Sequence, residues 1–391
     1  MQKMHLQDVG QIVDADLAFG DLTVLVGPQA SGKSIALQWL KLLLDTGLIQ
    51  EQLDTYGVDY GNQLPQFLEV YFGEGMSAIW RDGGSQVSLD AQVVDMPRLI
   101  GRKQRDKTES VFMIPAQRVL ALHNGWPRPF QSFGAGDPYC VRAYSEQLRV
   151  LMDREFTNPE PLFPKSNRLK SDYRTMLQQS VFAGFKLTVD RVQSQKRLVL
   201  DSGSGSLPFM VWSAGQREFV PLLLGLYWLM PPARVGRRNA IEWVVIEELE
   251  MGLHPRAIAA VLLIVLELMT RGYRVCLSTH SPQVLELVWA MGSLKGTKRN
   301  EIALLDLFGA PHSAPLKDMA RLAVEKVPRV YYFDPSGPVR EITSLDAASD
   351  VAQEASWGGL LEFTSRVNDT VAKAAANAPE FTSGELFKNE S

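Results

Sequence analysis

The chain has 391 residues, 46% hydrophobic and 21% charged, with a formal net charge of −4. That is ordinary globular composition with material for a sizeable core, and its balance argues against binding nucleic acid by bulk charge while leaving room for a local basic face. Cys140 and Cys276 form neither a metal-ligand spacing nor a disulfide framework, and the start, Met1 to Leu6, is polar, so a cytoplasmic protein is expected.

Residues 1–20 alternate weakly and predict one or two strands ahead of the apolar, β-branched run Leu22 to Val26. Gly27, Pro28, Gln29, Ala30, Ser31, Gly32, Lys33 and Ser34 then fit G-x-x-x-x-G-K-[ST], and Ile35 to Leu44 carries leucines at helical spacing. Strand, glycine-rich loop and helix in that order form a phosphate site. Backbone N–H groups and the helix N-terminus converge on the anion, Lys33 adds positive charge, and Ser34 offers a hydroxyl to Mg²⁺. Farther on, 67–72 and 77–80 read as strands, the second meeting Ser85 to Leu89 across Arg81-Asp82-Gly83-Gly84, so an antiparallel piece is expected after the loop. Residues 98–107 are the most basic run, either a solvated face or a contact for nucleic-acid backbone. Ser110 to Ile114 reads as a core strand ending near Gln117, whose amide could reach Mg²⁺ or an attacking water.

Apolar residues recur at helical steps over 141–156 and 169–181, with Asn158 to Pro164 between them, which no helix can cross; two antiparallel helices are expected. Strands at 185–189 and 196–200 and a Gly/Ser turn at 201–206 follow. Ser213-Ala214-Gly215-Gln216 opens an apolar helix, either as a plain N-cap or as a second place where N–H groups face a phosphate. The stretches 219–230 and 257–269 are too short to span a bilayer and read as buried helices. Trp243 to Ile246 is a fully apolar strand ending in Glu247-Glu248, two carboxylates that are costly there unless they serve a cation or a proton transfer. Leu249 to His254 leads to a helix, 273–277 reads as a strand, and His280 follows it on the same sheet edge. A strand at 301–305, a hairpin of 329–333 with 339–342, a helix near 364–375 and a polar tail from Asn377 complete the reading.

Together these pieces resemble the soluble ATP-binding-cassette ATPases, the branch with the SMC, Rad50 and RecF proteins and the OLD-like ATPases. Gly27 to Ser34 matches the Walker A loop, Gln117 the Q-loop and Ser213 to Gln216 the signature motif. Val244 to Glu248 matches Walker B, Leu249 to His254 the D-loop and His280 the switch histidine. The chain departs from the pattern at Glu247, where Asp is usual, at Ala214, where Gly is common, and at His254, where the D-loop has Asp.

The resemblance implies an α/β ABC-type P-loop NTPase head with a mixed central sheet, an antiparallel β subdomain and a short helical insertion. Its parts would be 1–135 with Walker A and the Q-loop, 136–210 as helices and strands before the signature, 211–345 with the remaining motifs, and 346–391 as a C-terminal helix and tail. It implies ATP and Mg²⁺ as cofactors, with Ser34, Gln117 and Glu247 at the metal and Glu248, His280 and Gln117 catalytic. It further implies a head-to-head homodimer or higher assembly with Ser213 to Gln216 acting across the interface. A separate effector protein such as a nuclease or toxin is the expected partner and DNA a candidate one, with no membrane role.

Overall fold

The computed structural model describes residues 2–376, apart from 62, 157–159, 193–194, 232–236 and 239. The chain opens with a hairpin, β1 (Lys3–Val9) and β2 (Ile12–Ala18), that buries one face, Met4, Leu6, Ala15 and Leu17. Next come β3 (Leu22–Val26), with all five residues buried, and α1 (Lys33–Thr55). After α2 (Leu64–Phe72), β4 (Gln86–Leu89) and β5 (Gln92–Val93) join the hairpin in an antiparallel sheet of order β2-β1-β4-β5. Beyond α3 (Met96–Gly101) lie β6 (Val111–Ile114) and the short pair β7 (Leu122–His123) and β8 (Trp126–Pro127).

The middle of the chain holds α4 (Tyr139–Glu155) and α5 (Ser171–Leu177), then an antiparallel sheet of β9 (Lys186–Val192), β10 (Gln195–Asp201) and β11 (Ser206–Pro208). The last third runs α6 (Ala214–Leu229), β12 (Trp243–Glu247), α7 (Pro255–Thr270), β13 (Arg274–Ser278) and α8 (Pro282–Leu294). It continues through α9 (Asn300–Leu307), α10 (Ala314–Val324), β14 (Pro328–Tyr332), β15 (Arg340–Glu341), α11 (Ala352–Ala355) and α12 (Glu362–Ala376).

The central sheet has the order β15-β14-β3-β13-β12-β6 and is parallel except for β15. Parallel strands covered on both faces must be apolar throughout, and successive residues feed opposite cores. Val24, Val244, Ile246 and Leu277 enter the core built with α6 and α7, whereas Leu25, Trp243, Val245 and Cys276 enter the one built with α1 and α2. The register sets Glu247 beside Ser278 and Ser278 beside Leu25. Carboxylate, strand end and glycine-rich loop therefore share one edge, the C-terminal edge where α/β sheets bind ligands. This is the α/β fold with a mixed central sheet expected from the sequence.

Three predicted strands are not strands. Residues 67–72 belong to α2, where Phe67, Leu68, Tyr71 and Phe72 are buried at helical spacing, Pro65 sits in the first turn and Gly73 caps the end at φ 117°. Residues 77–80 fall largely in a 3₁₀ turn, so the Arg81 to Ser85 turn exists but β4 pairs with β1 and β5 instead. Residues 301–305 are inside α9. In each case a short apolar run fits either period, and packing decided. The two helices of the middle segment do not lie along each other as an arm: α4 packs on α6 and β6, and α5 on α7, both feeding the core. The basic side chains of this run are exposed, with Lys103 on Asp54 and Lys107 on Glu51, each at 2.7 Å. Among the described residues no helix is long and apolar enough to cross a membrane. The polar tail from Asn377 and the Asn158-Pro159 break lie outside the described residues.

Candidate nucleotide site

The phosphate loop is shaped by two glycines that no other residue replaces without strain. Gly27 has φ 140°, and a Cβ there would lie 2.5 Å from Phe333 O; Gly32 has φ 95°, and its Cβ would meet Ile12 Cγ1 at 2.6 Å. Between them Pro28, Gln29 and Ala30 are exposed while Ser31 is buried, its hydroxyl donating to Pro28 O at 2.9 Å. Lys33 opens α1 and is itself buried. Its ammonium donates to Gly27 O at 2.8 Å and Pro28 O at 2.6 Å, holding it inside the loop's curve. Burial pushes the Lys33 pKa down, against the pull of Glu248 and Glu250, whose carboxylates both act on it.

Glu247 ends β12 and is 1% exposed. Oε2 accepts from Ala116 N–H at 3.1 Å, but the buried Oε1 has no partner of hydrogen-bonding geometry, although the Ser34 hydroxyl is close enough to favour the charged form. Burial dominates and lifts the carboxyl to about 7. An orphaned oxygen beside a P-loop serine is what a Mg²⁺ held through water would satisfy, so the residues present fit that ion, with Glu in place of the usual Asp.

Glu248 is the first residue past the strand. Its φ is 44°, uncommon for a residue with a side chain, and its N–H donates to Ser278 O at 2.9 Å. About a third of its side chain is exposed, and Oε1 lies 3.8 Å from His280 Nε2. The His280 N–H donates to Glu250 Oε1 at 2.5 Å. Lys33, Ser34, Glu247, Glu248 and His280 are thus gathered at the ends of three neighbouring strands. Gln117 follows β6 on the same edge and is exposed.

The signature segment is placed differently. Ser213 caps α6 in a capping box, Oγ accepting from Gln216 N–H at 3.3 Å and Gln216 Oε1 accepting from Ser213 N–H at 3.1 Å. Ser213 and Ala214 are exposed, and their hydrogen bonds do not reach the phosphate loop; Gln216 Nε2 donates instead to Val181 O at 3.3 Å. Within one chain the structure does not bring Ser213, Ala214, Gly215 or Gln216 to the other site residues.

Two residues were missed by the sequence reading. Glu250 is the third carboxylate of Glu247-Glu248-Leu249-Glu250, and that acidic density was a visible signal. Arg118 is entirely buried, its guanidinium bonded to the carbonyls of Glu218, Glu247 and Glu248. One arginine after a strand gives no local sign of such a role.

Residues 130–286 match the family model described as "AAA domain, putative AbiEii toxin, Type IV TA system", a span that includes the signature, Walker B and His280 but not the phosphate loop. No curated protein matches the chain. Among solved structures it is similar to an SMC head domain from Thermotoga maritima, at 13% identity and TM-score 0.33 over 73% of this chain and 90% of that one. It is also similar to an SMC head bound to the C-winged helix domain of ScpA, at 9% identity and TM-score 0.37 over 71% and 88% respectively.

Proposed function

Starting from a chain whose residues 130–286 match an AAA-domain model and whose motifs run in the order of SMC/Rad50-like ABC-type heads, we propose that it is a Mg-ATP-dependent ATPase that dimerises head to head and uses ATP to control a separate effector. The observation that carries this reading is the gathering of Lys33, Ser34, Glu247, Glu248 and His280 on one edge of the parallel sheet. ATP with Mg²⁺ supplies the scissile phosphoanhydride and the charge neutralisation at the phosphates.

The loop N–H groups and Lys33 hold the β- and γ-phosphates, and Ser34, Gln117 and Glu247 hold the metal. Glu248 orients a water and takes its proton, while His280, beside Glu248, contacts the γ-phosphate. Ser213, Ala214, Gly215 and Gln216 of a second copy close the site. Such chemistry is mostly positioning and electrostatics, so each residue acts by where it is held. Control of an effector such as a nuclease or toxin, in phage defence or genome maintenance, belongs to the same reading; the matched model's own description is of an AAA domain and putative toxin of a type IV TA system.

One feature favours a second reading. Glu247 stands where Asp is usual, and its longer side chain alters the water-mediated hold on Mg²⁺, which suits an ATP-gated scaffold with slow turnover.

Steady-state ATP hydrolysis by the purified chain, with and without linear duplex DNA and with Lys33→Ala as the blank, separates the two. Turnover well above the blank is expected; stimulation by DNA would add nucleic acid to the partners. Binding without turnover would leave the scaffold, and absence of binding would end both readings.

A further inference from the structure

Arg118 is a fully buried charge beside the site that the roles above leave unused. Nη1 donates to Glu247 O at 3.0 Å, Nη2 to Glu248 O at 3.1 Å and Nε to Glu218 O at 3.2 Å, with Glu218 Oε2 3.8 Å from Nε. One guanidinium therefore ties the residue after Gln117 to both carbonyls at the Walker B end and to the second turn of the signature helix. Arginine's planar fork suits such a three-way tie; lysine has one donor centre and cannot span it.

For the fold alone this is an expensive device, since a buried charge must be desolvated and an apolar side chain of similar volume would often serve as well. Its partners suggest what it is for. Glu248 is in the left-handed region, which persists only where the surroundings hold it, and Arg118 binds its carbonyl while Ser278 binds its N–H. The Glu218 side chain reaches back, with Oε2 buried and bonded to nothing else. The same helix also rests on the D-loop: a Cβ on Gly215 would lie 2.8 Å from Gly252 O, and one on Gly252 would lie 3.1 Å from Glu218 Cγ. The start of α6 cannot move without pressing on the turn 248–252 or pulling on Arg118.

We propose that Arg118 is a positioning residue that couples the signature helix of a head to Glu248 of that same head. When the α6 N-terminus is engaged by a nucleotide held on a second copy, the displacement passes through Glu218 and Arg118 to the backbone that aims Glu248. The two sites of a dimer then act in concert. This rests on the ATPase reading above, but part of its test does not.

In the full chain, Arg118→Lys is expected to leave the Kd and KM for ATP within about threefold, lower kcat at least ~30-fold and bring the Hill coefficient for ATP towards ~1. In the nucleotide-free protein, backbone hydrogen exchange should rise about tenfold or more in 213–222 and 247–253 together, with α1 unchanged. A folded Arg118→Lys protein with kcat within about twofold of wild type would overturn the coupling. So would faster exchange in only one of the two segments, or spread evenly over the chain. If Arg118→Lys does not fold, Glu218→Gln decides, because it keeps the carbonyl contacts and removes only the carboxylate. A kcat loss of about tenfold with reduced cooperativity is expected, and wild-type behaviour would refute the proposal. Failure of the wild type to hydrolyse ATP would sink the enzymatic reading alone, with the exchange experiment still judging the coupling.

Discussion

The sheet edge and the start of α6 carry the same kind of equipment, backbone N–H groups at a helix N-terminus, yet they are built in opposite ways. At the edge, the Lys33 ammonium and the Glu247 carboxyl are buried, the first held by bonds to the loop carbonyls and the second by strand register and the Ala116 N–H. At α6, Ser213 and Ala214 face solvent and the first turn is satisfied by its own capping box. A buried, pre-aimed half invites a ligand of its own. An exposed, internally satisfied helix start is finished without one. On the proposed function the contrast separates residues that act within the chain from those that act between chains.

On the proposed function, the largest effect should come at Glu248. Glu248→Gln is expected to lower kcat by at least ~100-fold while ATP binding persists and a nucleotide-bound dimer accumulates, seen by light scattering. Hydrolysis at the wild-type rate would remove Glu248 as the base. Next comes the division between halves. Lys33→Ala damages the edge and Ser213→Arg the exposed half, so each protein alone should be inactive. An equal mixture should recover turnover, to at most about a quarter of wild type, because half its dimers hold one intact composite site of two and coupling to a dead site can only lower its rate. No recovery on mixing would mean that both halves serve one chain.

A smaller effect concerns the buried carboxyl. Its folded pKa of about 7 lies above the ordinary value, so the folded form holds a proton that the unfolded chain gives up near pH ~4.5. Stability of the metal-free protein should therefore fall as pH rises from about 5 to 7, by at most about 3 kcal/mol from this group, and level off above. Burial raises Glu109 as well, adding the same sign. Burial also pushes Glu155 and Glu267 upward, but Arg168 and Lys170 outweigh it and hold them low, so their contribution is lost only below the ordinary carboxylate range. Glu247→Gln should flatten the slope, measured as thermal midpoint against pH without Mg²⁺; an unchanged slope would place the proton elsewhere. The smallest change is structural: Gly32→Ala, at φ 95° and against Ile12, should cost roughly 1–3 kcal/mol in chemical denaturation, and a neutral result would mean that the loop relaxes freely.

The motif chemistry was legible because it is local. A loop that must hold a phosphate needs its glycines, lysine and serine within eight residues, and a buried strand ending in two carboxylates announces itself by its cost. The strands at Leu22, Trp243 and Arg274 were legible for a similar reason, since burial on both faces leaves an unbroken apolar run. Phe67 to Phe72 was not, because six mostly apolar residues satisfy both periods and only α2's packing beside α3 and α4 chose between them. The same ambiguity hid α9.

By itself the sequence determined that a glycine-rich loop with a lysine and serine, and paired carboxylates, stand at the ends of apolar strands, because that pattern is written in side-chain types at short spacing. The tertiary structure alone decided that Arg118 binds Glu218, Glu247 and Glu248 and that the start of α6 faces outward. Those contacts join residues about a hundred or more apart, and their partners are main-chain carbonyls, which leave no mark on residue identity.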